Sequence, residues 1–101
     1  MKLRPEVQRF AELMETKLRE NDHKSHWSER TDGYLRRRLR MELRELMAAM
    51  DQLRRLDVKF WKQEATEPAA FKAARIAVTR ETVDVANFAM MIADNSGGME
   101  P

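Results

Sequence analysis

Residues 81–94, Glu-Thr-Val-Asp-Val-Ala-Asn-Phe-Ala-Met-Met-Ile-Ala-Asp, read as a helix whose apolar face carries two carboxylates. At about 100° of rotation per residue, Ala74, Ala77, Glu81, Asp84, Phe88, Met91 and Ile92 fall on one stripe. Glu81 and Asp84 therefore sit where the core should be. An unpaired buried carboxylate is costly, so it calls for a cation or a proton. A second such anomaly lies upstream. Leu35, Leu39, Leu46, Met50 and Leu53 form a helical stripe in which Glu42 projects between Leu39 and Leu46, with Glu45 at its edge.

The remaining pattern is also helical. Val7, Phe10, Met14 and Leu18 make a stripe in a first helix expected over Pro5–Arg19, with Pro5 and Glu6 suited to its first turn. A polar loop from Asn21 to Gly33 follows and contains His23, Lys24, His26 and Trp27. The second helix is expected to start at a Thr31 or Asp32 cap and to run to Asp57 or through Phe60 and Trp61. Trp61 reads as a core or interface residue. Pro68 opens the third helix, with Thr66 or Glu67 just ahead of it. That helix runs to about Asp94, and Asn95-Ser-Gly-Gly stops it. No alternating β-branched run argues for a sheet. The fold class expected is therefore all-α: an antiparallel helical bundle formed by a single domain over residues 1–95, with a flexible tail at 96–101. The chain has 101 residues, so its lone core is modest. Eight methionines and several apolar faces point to packing against another subunit.

Composition narrows the chemistry. With no cysteine, disulfides and thiolate metal sites are excluded. His23 and His26 have the spacing of a metal pair, but no other His or Cys completes a zinc site. The N-terminus, Met-Lys-Leu-Arg-Pro-Glu, has no apolar signal core, and no apolar run approaches a membrane span. The expectation is a cytoplasmic protein without membrane contact. Net charge is only +2, yet Arg36, Arg37, Arg38, Arg40 and Arg44 crowd the start of the second helix. They read either as a solvated face or as an attraction for phosphates of a nucleotide or nucleic acid. Trp27, isolated in a hydrophilic loop, reads as a lid on the core or as a flat surface for a nucleobase.

If the second and third helices pack antiparallel, Glu42, Glu45, Glu81 and Asp84 can converge. Side chains at i and i+3 share a helix face. Bare, the four would repel one another and their pKa values would rise. A hard divalent cation, Mg²⁺ or Mn²⁺, resolves this through oxygen ligands. A bundle-core di-iron site would need a Glu-x-x-His on each of two helices, and neither histidine lies on these helices. The ordinary alternative is that the acids pair with Arg40, Arg44 or Arg80.

Glu42-x-x-Glu45 followed by Glu81-x-x-Asp84 resembles the signature of the all-α nucleoside triphosphate pyrophosphohydrolases, which include MazG-like enzymes, dimeric dUTPases and dCTP pyrophosphatases. The apolar continuation Asp84–Asp94 is similar to that of small MazG-like proteins. So is the lead-in from His23-Lys24-Ser25-His26-Trp27 through Tyr34, Leu35, Arg38 and Leu39. The resemblance covers roughly residues 7 to 95. It implies that Glu42, Glu45, Glu81 and Asp84 bind Mg²⁺, and that an activated water attacks the α-phosphorus of a nucleoside triphosphate. The products would be a nucleoside monophosphate and pyrophosphate. It further implies Trp27 against the base, Asn87 and Phe88 near the base or sugar, and Lys24 and Arg38 on phosphate oxygens. Subunits would assemble as a homodimer or homotetramer. Two departures stand out: Met41 occupies a place where the family often has a glutamate, and the interval from Glu45 to Glu81 is long, so that residues 51–68 would form an added helical segment or loop. The competing readings are a small nucleic-acid-binding protein using Arg36–Arg44, disfavoured because the acids would repel phosphates, and a non-catalytic helical adaptor with buried ion pairs.

Overall fold

The structure, a computed structural model, describes residues 1–100. Helix α1 spans Pro5–Glu20, α2 Asp32–Trp61 and α3 Pro68–Ser96, with a short 3-10 turn at Trp27–Glu29; there is no strand among the described residues. The chain is all-helical.

Local signals explain the boundaries. Pro5 and Pro68 sit in the first turns of α1 and α3, where a missing N–H costs nothing. Thr31, not Asp32, caps α2: its hydroxyl accepts from the Tyr34 N–H at 3.1 Å. Glu67 holds the cap position of α3 without a side-chain hydrogen bond. Gly97 ends α3 in the left-handed region at φ 77°, which glycine adopts without strain. Of the tail expected at 96–101, Ser96 is the last residue of α3, and Pro101 lies outside the described residues.

The long interval between Glu45 and Glu81 has a simple form. Helix α2 continues to Trp61, residues 62–67 turn the chain, and α3 begins. The two helices run antiparallel, because their contacts pair in reverse order. Phe60 meets Phe71 edge to face at 6.1 Å, Glu42 and Glu45 meet Glu81, and Arg38 lies over the Phe88 ring at 5.2 Å.

Helix α3 is the centre of the molecule. It packs against α2, α1 and the 3-10 turn, whereas no Cα of α1 comes within 8 Å of one in α2. Its sequence allows this because its buried positions are not confined to one stripe. The stripe through Ala74, Glu81 and Phe88 meets α2. Val83 and Asn87, on a different side of the helix, are buried as well, and the Asn87 amide donates to the Met14 carbonyl of α1 at 3.3 Å. The single core-facing stripe read from the sequence is thus one of two.

The apolar core is small. Leu35, Ala74 and Val83 are its buried members, and Leu35 is 1% exposed. Phe10, Met14 and Leu18 of α1 are half-buried, while Val7 and Leu13 face out. On α2, Leu43, Met47, Met50, Val58 and Trp61 are exposed at a helical period, forming a second apolar stripe beside the one on α3. Trp61 is 82% exposed, so it is not a core residue. No helix among the described residues is long and apolar enough to cross a membrane.

Candidate metal centre and cleft

Because α1 and α2 both lean on α3 without meeting, a wedge opens between them. It is a cleft of about 360 Å³, within the usual range for small-molecule sites. Helix α3 forms its floor through Asp84, Asn87, Phe88 and Met91. Lys17 and Leu18 of α1 form one wall, Tyr34, Arg38 and Glu42 of α2 the other, and the loop with Lys24 and Trp27 closes one end.

Where α2 meets α3 three acids gather, and of these Glu42 also lines the cleft. Glu42, Glu45 and Glu81 each offer a carboxylate oxygen, and these oxygens lie within 4.8 Å of one another. Glu42 is only 5% exposed, Glu81 is half-buried and Glu45 is exposed. Asp84, one turn beyond Glu81, falls outside that close group and lines the cleft beside Glu42. The expected convergence of four acids is thus a group of three with the fourth facing the cleft.

The acids are under-compensated. Glu42 Oε1 accepts from Arg38 Nη2 at 2.9 Å, but Glu42 Oε2 and Glu81 Oε2 are buried without a hydrogen-bond partner. Burial pushes the Glu42 carboxyl above its ordinary value; the hydrogen bond from Arg38 opposes this, and the neighbouring Glu45 adds to it. Burial likewise raises Asp84, with the positive charge of Lys17 opposing and the charge of Glu42 adding. Arg40, Arg44 and Arg80 form no ion pair with these acids among the described residues; the partner is Arg38, one turn before Glu42 on the same helix. An all-carboxylate donor set with orphaned buried oxygens suits a hard divalent cation, and no histidine joins it.

The other cleft residues have definite supports. Trp27 lines the cleft, and its indole N–H donates to Asp94 Oδ2 at 2.8 Å. The Trp27 carbonyl accepts from Asn95 Nδ2 at 3.0 Å, so two hydrogen bonds tie the 3-10 turn to the end of α3. His26 lies beside the indole, ring centres 4.0 Å apart, and its Nδ1 accepts from the Ser28 N–H as a cap. That role, rather than metal binding, accounts for His26. Asn87 is 4% exposed; its Nδ2 is committed to Met14, and its Oδ1 has no partner. Phe88 carries the Arg38 guanidinium on its face, and Lys24 sits at the cleft margin.

The sequence assigned no site role to Lys17, Tyr34, Asp94 or Asn95, nor to Arg30, which lines the cleft beside Tyr34. Lys17 lies beside an apolar stripe like many surface lysines, and nothing local links it to Asp84. Asp94 and Asn95 read only as a helix stop, because their partner Trp27 is 67 residues away. The arginine-rich start of α2 is partly consumed internally. Arg36 pairs with Asp32 at 3.0 Å, Arg37 lies over the Tyr34 ring, and Arg38 holds Glu42.

No protein-family model, curated protein or solved structure matches this chain.

Proposed function

We propose that this chain is a Mg²⁺-dependent nucleotide pyrophosphohydrolase, with Mn²⁺ as an alternative ion, that cleaves a (deoxy)nucleoside triphosphate to the monophosphate and pyrophosphate. The observation that carries this reading is the set of three carboxylates within 4.8 Å of one another, reached through Glu42 from a cleft that Asp84 and cationic and aromatic side chains also line. Glu42, Glu45 and Glu81 would hold the ion, with Asp84 on the cleft side of the group. A bound divalent cation supplies a lowered pKa for water and stabilises negative charge on phosphoryl oxygens. Lys17, Lys24 and Arg38 have the charge to hold a polyphosphate, and Trp27 offers a flat apolar surface for a base. The MazG-like motif order supports the same chemistry and an all-α pyrophosphatase-like bundle.

The test is a pyrophosphate-release screen over standard and damaged nucleoside triphosphates with Mg²⁺ or Mn²⁺. Release that requires the metal is expected. No turnover of any of them, together with no calorimetric binding of either ion, would sink the reading.

A non-catalytic helical adaptor is the second reading, favoured by the Arg38–Glu42 ion pair. That pair accounts for one oxygen of Glu42 and leaves Glu45 and Glu81 without a cation. The exposed stripe of α2 supports a homodimer or homotetramer, since an apolar face of this length is costly in water. Light scattering should report more than one subunit for the wild type and a smaller species for Met47→Glu. A monomeric wild type would remove the oligomer from the proposal.

A further inference from the structure

Arg38 occupies an unusual position between the acids and the cleft. Its Nη2 donates to Glu42 at 2.9 Å, its guanidinium lies 5.2 Å from the Phe88 ring centre, and its Nε is buried without a partner. The side chain is 36% exposed, against 7% for that of Glu42. The arginine head therefore has room to move into the cleft it already lines, and the carboxylate does not. A single positive charge also answers only one of three clustered carboxylates.

We infer that Arg38 is a displaceable counter-ion: it holds Glu42 in the metal-free protein, gives Glu42 up to a divalent cation, and is thereby released to an anion in the cleft. This rests on the metal site of the proposed function and adds its order of assembly. The pair is i,i+4 on one helix, so the exchange needs a rotamer change and no backbone motion. The physical basis is competition. Arg38 bonds Glu42 Oε1 and leaves Oε2 free, but a divalent cation on that carboxylate would stand beside the guanidinium, and the two positive charges repel, so arginine weakens the ion's binding and the ion loosens arginine's. A guanidinium freed with its donors unmet then seeks phosphate oxygens, which its fork fits. Arg38 is in this sense a positioning residue for Glu42 before it is a ligand for anything else.

Calorimetric titration of Mn²⁺ into the full chain, wild type against Arg38→Met and Arg38→Lys, tests the exchange. Loss of a charged hydrogen bond predicts binding about tenfold tighter in Arg38→Met, with Arg38→Lys in between. Far-UV circular dichroism checks that both variants fold. Equal or weaker binding by a folded Arg38→Met overturns the inference and leaves the metal site standing, whereas no binding by any of the three proteins removes both. A second readout uses the wild type alone. In ¹⁵N-labelled protein the Arg38 Nε–H signal should shift on Mg²⁺ addition along the calorimetric isotherm, and a stationary signal in the presence of metal binding overturns the inference whatever the variants do.

Discussion

At the closed end of the α2–α3 hairpin, Phe60 meets Phe71 edge to face, and the contact needs nothing but its own surface. Farther along, the same two helices meet through Glu42, Glu45 and Glu81, with two buried oxygens lacking partners. Helix pairing alone explains the first region and is opposed by the second. Apolar side chains at the acid positions would have packed the hairpin at lower cost. The hairpin thus carries a destabilised segment in its middle, on the same helix as the nearly fully buried Leu35. Such a segment is expected where a protein must receive a charged ligand.

The largest expected effect is on turnover. Glu81→Gln or Asp84→Asn should lower metal-dependent pyrophosphate release by about 100-fold or more, the scale on which removing a direct charge stabiliser acts, with the far-UV spectrum unchanged. Full activity in both variants would return the acids to a structural role. Next comes the apolar support. Leu35→Ala, at a nearly fully buried position, should cost about 2–5 kcal/mol in denaturant unfolding. A negligible loss would show that Leu35 does not hold the acid segment in place.

A smaller effect, and of opposite sign, is expected at the acids themselves. Burial raises Glu42 and Asp84 above their ordinary values of 4.5 and 3.8. The folded chain therefore retains protons that the unfolded chain has lost, and metal-free stability falls as pH rises from those values through the raised ones. Melting temperatures from pH 4 to 8 should decline over that window. Glu42→Gln should flatten the decline and melt above the metal-free wild type at pH 7. Saturating Mg²⁺ should cancel the difference, by about 2.7 kcal/mol at a hundred times its dissociation constant. A variant that melts lower at every pH would mean that the Arg38–Glu42 pair is a net support, as in an adaptor.

The smallest effect belongs to the far end of the cleft. Asp94→Ala removes the acceptor for the Trp27 indole and should cost about 1 kcal/mol or a little more, read as a several-fold rise in KM with kcat little changed. Trp27 emission should shift to the red. An unchanged KM would separate the indole's anchoring from substrate binding.

Most of the helical layout was legible in the sequence because helix signals are local. Pro5, Thr31, Pro68 and Gly97 act within one turn of themselves, and the stripes follow from a fixed rotation per residue. The acids stood out for the same reason: Glu42 and Glu81 interrupt apolar stripes, and an interruption is visible in one dimension. Helix α3 was harder to read, since a helix buried on two sides yields no single stripe, and Val83 and Asn87 fell outside the one considered. Of the two readings of Trp61, core or interface, its exposure removes the first, since an aromatic residue at a helical period looks the same whether or not another helix of the chain covers it.

The helical class, the helix boundaries and the two acidic pairs on faces that should be apolar all follow from local pattern along the chain. Which acids meet, and what meets them, follows from packing alone. That Glu42, Glu45 and Glu81 share one point while Asp84 faces the cleft depends on how α2 and α3 are set against each other. That Trp27 is anchored by Asp94, and that α1 adds Lys17 beside Asp84, depends on packing across more than sixty residues of chain. Local propensity acts over a turn or two of helix, whereas a binding site is assembled from distant side chains that only the packing of α3 against its neighbours brings together.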